Sequence, residues 1–252
     1  MKILVCYKYI RNDEEIYVNP DRTMNVDSAA WVISPYDLNA IEAAMKLAAA
    51  AGDSSVEVIT VGCEVLDNSK MRKAVLSRGP AKMYGIRTDC CGDLYSTAVL
   101  LKQGIDRIGD VDFIICGEGS GDMYTQELGN VLGAVMDIPA INAVDSLGIE
   151  DGCVMARRNN GGRLEKLKIS GQAVISVTSD ICPAHIPSMK DIMASGKKPV
   201  EIFDAAELEK VAASAETVSV LAPESGERMK VVYKANDDEG IDNFVKALKK
   251  YM

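Results

Sequence analysis

The sequence predicts an α/β fold: a doubly wound parallel sheet with an antiparallel hairpin extension and a C-terminal arm. Three observations predict it. Short apolar runs alternate with segments of helical period up to about residue 138. Two further strand-like runs then flank NNGG at 159–162, a hairpin signal. Beyond residue 182 the texture changes to proline-containing and polar linker with amphipathic pieces.

The elements follow in order. KILVCY (2–7) reads as a buried first strand. Residues 14–33 are polar and irregular, with a turn at Pro20–Thr23. SPYD (34–37) opens a helix whose apolar residues Leu38, Ile41, Ala44, Met45 and Ala48 keep helical spacing; Ser34 or Asp37 suits its cap and Pro35 its first turn. VEVITVGC (56–63) is a strand, SKMRKAVLSRG (69–79) a short helix stopped by glycine, and AKMYGI (81–86) a strand. Residues 93–107 form a helix, and VDFIICG (111–117) is a strand opening onto CGEGSGDMYTQELG, with a helix-like LGNVLGAVM after it. PAINAVDSLGIE (139–150), GCVMARR (152–158), RLEKLKIS (163–170) and AVISVTSD (173–180) complete the strands. CPAHIPSMKDIMASGKKPVEIF shows no continuous strand; it reads as extended chain and then a short helix at 189–195. AAELEKVAASAE and EGIDNFVKALKKYM are amphipathic, and KVVYKA (230–235) is a small strand. The expected organisation is an α/β domain at 1–182, a loop at 183–200 and an arm at 201–252.

Composition excludes several functions. The 252 residues are 48% apolar, which suits one large domain or a domain with an arm. The net charge is −9 and no basic run is long enough to track a nucleic-acid backbone, so nucleic acid is not an expected partner. No apolar run approaches the roughly 20 residues of a membrane span. MKILVCYKYI is too short and interrupted for a signal peptide, and the expected compartment is the cytoplasm. The seven cysteines include no CxxC and read as reduced, mostly buried thiols. One histidine, His185, leaves no two-histidine metal site, and no nucleophile motif accompanies it.

The chemistry concentrates at strand ends. In open α/β sheets ligands sit beyond the carboxyl ends of the strands. Cys6-Tyr7, Ser34–Asp37, Gly62-Cys63 and the loop after the 111–117 strand all end at that edge. Glycine lets backbone approach a phosphate, and a helix starting at about Tyr124–Gln126 would supply N–H donors and a positive dipole end. The loop is neither GxGxxG nor a P-loop, and it contains no lysine or arginine. The alternative is a tight turn whose glycines serve packing only. Asp122 suits a helix cap, Glu118 or Glu127 suits ribose hydroxyls, and Gly121 is where a positive φ would demand glycine.

With these blocks in place, the chain resembles the β subunit of electron-transfer flavoproteins, in its FixA-type branch, from residue 1 to about 208. The blocks that carry the resemblance are KILVCYK, SPYDLNAIEAA, SKMRKAVLSRGP, GEGSGDMYTQELG, PAINAV and TSDICPAHIPSMKDIMASGKKPV. The resemblance implies a Rossmann-like, adenine-nucleotide-binding domain that pairs with a larger α subunit. That subunit holds most of a redox-active FAD; the β subunit holds AMP, or a second FAD in electron-bifurcating members. The implied nucleotide contacts are Cys6, Ser34, Pro35, Tyr36, Asp37, Cys63, Gly117, Glu118, Gly119, Ser120, Gly121, Asp122, Met123, Tyr124, Thr125, Gln126, Glu127 and Leu128. Where the family's standard loop has Asn-Gln-Thr, this chain has Gln126-Glu127-Leu128, leaving Thr125 to supply any hydroxyl contact. Where standard members carry an acidic residue facing the α subunit, this chain reads Ala156-Arg157-Arg158. The 185–194 stretch falls on the family's recognition loop, implying that His185, Ile186, Met189 and Ile192 meet a partner, with Met189 in the place of an anchoring leucine. The alternative is that Met189, Ile192 and Met193 are one helix face packed on their own domain. The resemblance implies an electron-carrier subunit without catalytic residues of its own. It would serve dehydrogenases or reductases, acyl-CoA dehydrogenases among the candidates. The alternative function is a stand-alone adenine-nucleotide-binding or ATP-hydrolysing protein of the universal-stress type.

Overall fold

A computed structural model describes residues 1–88, 93–209, 212–213, 215, 217–224, 226, 230–234, 236 and 238–250. The chain runs β1 (Lys2–Cys6), β2 (Tyr9–Arg11), β3 (Tyr17–Val18), β4 (Met24–Asn25), β5 (Trp31–Ile33), α1 (Pro35–Ala51) and β6 (Ser55–Gly62). It continues through α2 (Ser69–Leu76), β7 (Lys82–Arg87), α3 (Leu94–Ile108), β8 (Phe113–Gly117), α4 (Leu128–Met136), β9 (Ala140–Glu150), β10 (Cys153–Asn160), β11 (Arg163–Ile169) and β12 (Ala173–Val177). It closes with α5 (Met189–Ser195), β13 (Val200–Asp204) and α6 (Asp238–Leu248).

Nine strands form one sheet in the order β11-β10-β9-β12-β8-β1-β6-β7-β13. From β9 to β13 every pairing is parallel; β9, β10 and β11 pair antiparallel. The strand alternation of β1 explains why helices cover both faces. Ile3 and Val5 point to one face with Ala40, Ile41, Ala44 and Leu47 of α1. Leu4 and Cys6 point to the other with Ala98, Leu101 and Ile105 of α3 and Leu132 of α4. The run of four apolar residues Ile3–Cys6 is thus buried on both sides, as a central parallel strand requires. The doubly wound α/β fold is as the sequence predicts. The hairpin turn is Gly161-Gly162, with φ of 59° and 86°, the two left-handed positions a two-residue turn needs.

Several local expectations are corrected. Val200–Asp204 is a full edge strand, β13, paired with β7; the sequence reading saw no strand there. Residues 14–33, read as irregular, hold β3, β4 and β5, and β5 pairs with β2. Residues 230–234 are not a strand, and position 235 lies outside the described residues. The amphipathic stretch from 205 yields only a 3-10 turn, Ala205–Glu207, with 210, 211, 214 and 216 outside the described residues. Cys90 and Cys91 also lie outside them; Cys6, Cys116 and Cys182 are buried thiols.

The chain divides into two compact units, Met1–Tyr17 with Asn25–Ser219, and Val18–Met24 with Val220–Met252. The second unit contains α6. Within it Arg22 pairs with Glu224 at 2.9 Å, and the Tyr233 and Phe244 rings lie 5.6 Å apart. Its Ile241, Phe244, Val245 and Leu248 are exposed.

Candidate functional site

The parallel strands β1, β6, β8 and β12 bring Cys6, Gly62, Gly117 and Val177 to one edge of the sheet. Asp37, in the first turn of α1, organises that edge. It is only 6% exposed. Its Oδ2 accepts from Lys8 N at 2.8 Å and its Oδ1 from Gly117 N at 3.3 Å, so one carboxylate ties the end of β1 to the end of β8. Burial pushes its pKa up to about 7, against the opposing pull of those two N–H donors, the Lys8 charge and the Ser34 hydroxyl. Ser34 occupies the N-cap position of α1, but its side chain makes no capping bond. Its Oγ instead accepts from Gly121 N at 3.4 Å, reaching across to the glycine-rich loop. Neither Ser34 nor Asp37 caps α1 through its side chain: both are committed to the strand edge and the loop.

The loop between β8 and α4 is held from outside itself. Lys8, just past β1, places Nζ 2.6 Å from Asp122 Oδ2. Asp122 Oδ1 accepts from Ser120 Oγ at 2.5 Å and from Met123 N at 2.9 Å. Partial burial alone would raise the Asp122 carboxyl, but Lys8 and Ser120 outweigh it and hold it below the usual range. Asp122 is therefore a turn-former and an ion-pair partner, not the helix cap expected of it. The helix begins at Leu128, later than expected, because Tyr124 (φ 46°) and Gln126 (φ 59°) are left-handed and interrupt any helical run. The Tyr124 ring packs on Tyr36 with centroids 4.9 Å apart. Gln126 Nε2 donates to Tyr124 Oη at 3.3 Å. Glu118 Oε1 accepts from Ser179 N at 3.4 Å. Met123, Thr125 and Glu127 are exposed, and Leu128 is half-buried.

The glycines answer to the protein's own packing. A Cβ on Gly117 would lie 2.8 Å from Asp37 Oδ1 and from the Tyr36 backbone; on Gly119, 2.6 Å from the Tyr124 ring; on Gly121, 2.7 Å from Ile10 Cδ1. Gly121 does not need a positive φ, contrary to expectation; steric room is its requirement. The donors open to a ligand are elsewhere. Glu127, at the N-cap of α4, makes no side-chain capping bond, and the amides of Leu128, Gly129 and Asn130 meet no acceptor among the described residues. Open amides at a helix start are donors of the kind that phosphate oxygens accept.

The remaining site residues take distinct places. Cys6 is buried and burial pushes its thiol well up, so the edge sees its backbone rather than its sulfur. Pro35 is exposed at the first position of α1, and Cys63 starts the 3-10 turn Glu64–Asp67 after β6. Lys8 was missed from sequence. The loop itself has no lysine or arginine, and the cation arrives from the position just past KILVCY at the end of β1.

The 185–194 segment is built differently. Ser188 and Asp191 form a reciprocal capping box that starts α5 at Met189. His185 is exposed, its Nε2 3.5 Å from Asp191 Oδ2, and its carbonyl accepts from Arg78 Nη1. Ile186 is 86%, Met189 74% and Met193 75% exposed; Ile192, at 41%, borders a cleft against α2. Met189 and Met193 are thus not packed on their own domain. Arg157 and Arg158 bond within their own hairpin region, to Asp145 at 2.7 Å and Glu165 at 2.6 Å.

Among the described residues no helix is long and apolar enough to cross a membrane, and no group of three His, Cys, Asp or Glu side chains could hold a metal ion. The family model of the electron transfer flavoprotein domain matches residues 23–208, about three quarters of the chain. That span includes α1, the loop between β8 and α4, the hairpin and α5. A match over this much of the chain shows the family: the chain belongs to the electron transfer flavoprotein family, whose members are electron carriers.

Proposed function

We propose that this chain is the β subunit of a heterodimeric electron transfer flavoprotein. In this reading it binds an adenine nucleotide at the strand edge, AMP or FAD, and pairs with an α subunit that holds most of the redox-active FAD. The observation that carries the reading is the set of bonds by which Lys8, Ser34 and Asp37 hold the loop 117–128, which leads into the uncapped start of α4. The donor set fits the group: open first-turn amides suit phosphate oxygens, and Lys8 cancels the charge of Asp122 in an otherwise acidic loop. FAD supplies the electron-accepting ring; this chain's residues bind, orient and brace. Asp37 and Ser34 fix the edge before the nucleotide arrives, which lowers the ordering cost of binding. A dehydrogenase or reductase docks at the 185–194 segment, with Met189 as the anchor and Ile186 and Ile192 beside it. The exposed apolar face of α6 suits the arm's packing on the α subunit, and the setting is cytoplasmic.

The test is to purify the complex, release its nucleotides with acid, and quantify FAD and AMP per heterodimer. One FAD with one AMP identifies a carrier of the standard kind; two FAD identify the bifurcating kind. A preparation that is monomeric and free of both nucleotides would overturn the reading.

A further inference from the structure

A cleft of about 510 Å³ lies between α2 and the chain leading into α5. Ser69, Lys70, Lys73 and Arg78 line one wall, and Pro187 and Ile192 the other. Lys70 and Lys73 are three apart on one helix and project from the same side. Both are exposed, and neither meets a carboxylate among the described residues. The Lys73 stem runs toward the end of α5: a Cβ on Gly196 would lie 3.6 Å from its Cε. Arg78 donates to the His185 carbonyl, while its buried Nε has no partner. Lys190 and Lys197 add two more exposed cations without a carboxylate partner among the described residues. The nearby acids are occupied: Asp191 by Ser188 and His185, and Glu42 by Lys46 at 3.6 Å. A chain of net charge −9 therefore gathers positive charge without carboxylate partners among the described residues beside the exposed Ile186, Met189 and Met193.

We propose that this cleft is a second docking element, which receives an acidic side chain of the redox partner while Met189 enters an apolar pocket on that partner. The proposal rests on the docking reading of the 185–194 segment. The two walls define the occupant: an apolar stem against Pro187 and Ile192, ending in a carboxylate between Lys70, Lys73 and Arg78. A glutamate flanking the partner's apolar pocket meets both conditions. Charge complementarity of this kind governs encounter rate and register more than final affinity.

The test uses the purified heterodimer and, as probe, an acyl-CoA dehydrogenase shown to reduce the wild-type flavin. The second-order rate of flavin reduction is followed from about 20 mM to about 500 mM salt, where screening shortens to a few ångströms. The double variant Lys70→Glu/Lys73→Glu should be about tenfold slower at low salt and within about twofold at high salt, with nucleotide content unchanged. Both positions are exposed, so folding is retained. Lys70 lies in the first turn of α2, where glutamate suits the helix dipole, and Lys73 in the last. The single variant Lys70→Glu, expected to show the same salt dependence at smaller size, therefore guards against a helix-end effect. A salt slope equal to wild type overturns the cleft. Met189→Ala tests the docking reading separately. A wild-type rate there removes the segment as the docking site whatever the salt slope. A slow Met189→Ala with an unaltered slope in the charge variant overturns the cleft alone.

Discussion

The proposed nucleotide edge and the proposed docking segment are built in opposite ways. At the edge, polar bonds join residues far apart in sequence: Lys8 to Asp37, Asp37 to Gly117, Ser34 to Gly121, Lys8 to Asp122. In the 185–194 segment the bonds that start α5 span three residues, Ser188 to Asp191, with Arg78 reaching only the His185 carbonyl, and the apolar side chains are left outward. A site that must hold a small ligand is fixed from several elements at once. A site that must enter another protein needs only a stiff local support for exposed side chains. The difference predicts that edge variants disturb stability and nucleotide together, whereas docking variants disturb transfer alone.

The largest expected effect is at Gly117. A valine there would drive its Cβ into Tyr36 and Asp37 and break the bond between Asp37 and Gly117 N. Overpacking and a lost buried bond together cost about 3 kcal/mol. Gly117→Val should lower the unfolding temperature of the heterodimer and deplete its bound nucleotide at least about tenfold. Full nucleotide content after gel filtration would show that the edge tolerates what a rigid scaffold cannot.

The staple itself should titrate. Asp37 is raised from the ordinary carboxylate range to about 7, so the folded state holds its proton more tightly than the unfolded state. The stability this contributes is complete below the unfolded pKa and is lost as pH rises toward 7. The slope is at most about 1.4 kcal/mol per pH unit, or about 2 kcal/mol between pH 5.5 and 7.5. Asp37→Asn should lack this contribution, so wild type should lose ground to it across that interval. Parallel stability curves for the two proteins would mean that Asp37 stays ionised throughout.

On the other side of the comparison, Met189→Ala should reduce electron transfer from the dehydrogenase about 30-fold at sub-saturating concentration, from a loss of about 2 kcal/mol at a central apolar anchor. Nucleotide content, assembly and unfolding temperature should match wild type, because the side chain is mostly exposed. Stopped-flow reduction measures the first and flavin absorbance the second. A destabilised variant would place Met189 in the packing of its own domain after all.

How legible each region was in sequence follows from the same contrast. The bounds of α5 were readable because its start is written in adjacent residues, Ser188 to Asp191. The sheet was readable because β1, β6, β8 and β12 are short, mostly apolar and mostly buried runs between helices of clear period. The loop's path was not readable. Tyr124 and Gln126 take left-handed conformations that non-glycine residues rarely announce, and Asp122 is turned away from capping by a lysine 114 positions earlier. The strand β13 was missed because Val200–Asp204 is short, follows Pro199 and lies at a sheet edge, where only Phe203 is buried and periodicity is weak.

Lys8 joins these two lessons and carries the smallest expected effect. Its pair with Asp122 is partly exposed, so it adds at most about 1 kcal/mol to stability. For a bound phosphate the same ammonium matters through net charge. Lys8 and Asp122 together are neutral, and removing the lysine leaves a carboxylate facing the ligand. Lys8→Met should therefore weaken AMP binding to the stripped heterodimer about fivefold, with the deficit shrinking as salt rises, while the unfolding temperature barely moves. The double variant Lys8→Met/Asp122→Asn restores neutrality and should recover most of the affinity. If the double variant stays as weak as the single one, the ammonium itself contacts the phosphate. If Lys8→Met binds as tightly as wild type, Lys8 only holds Asp122 in its turn, and the positive pole of the edge is the start of α4 alone.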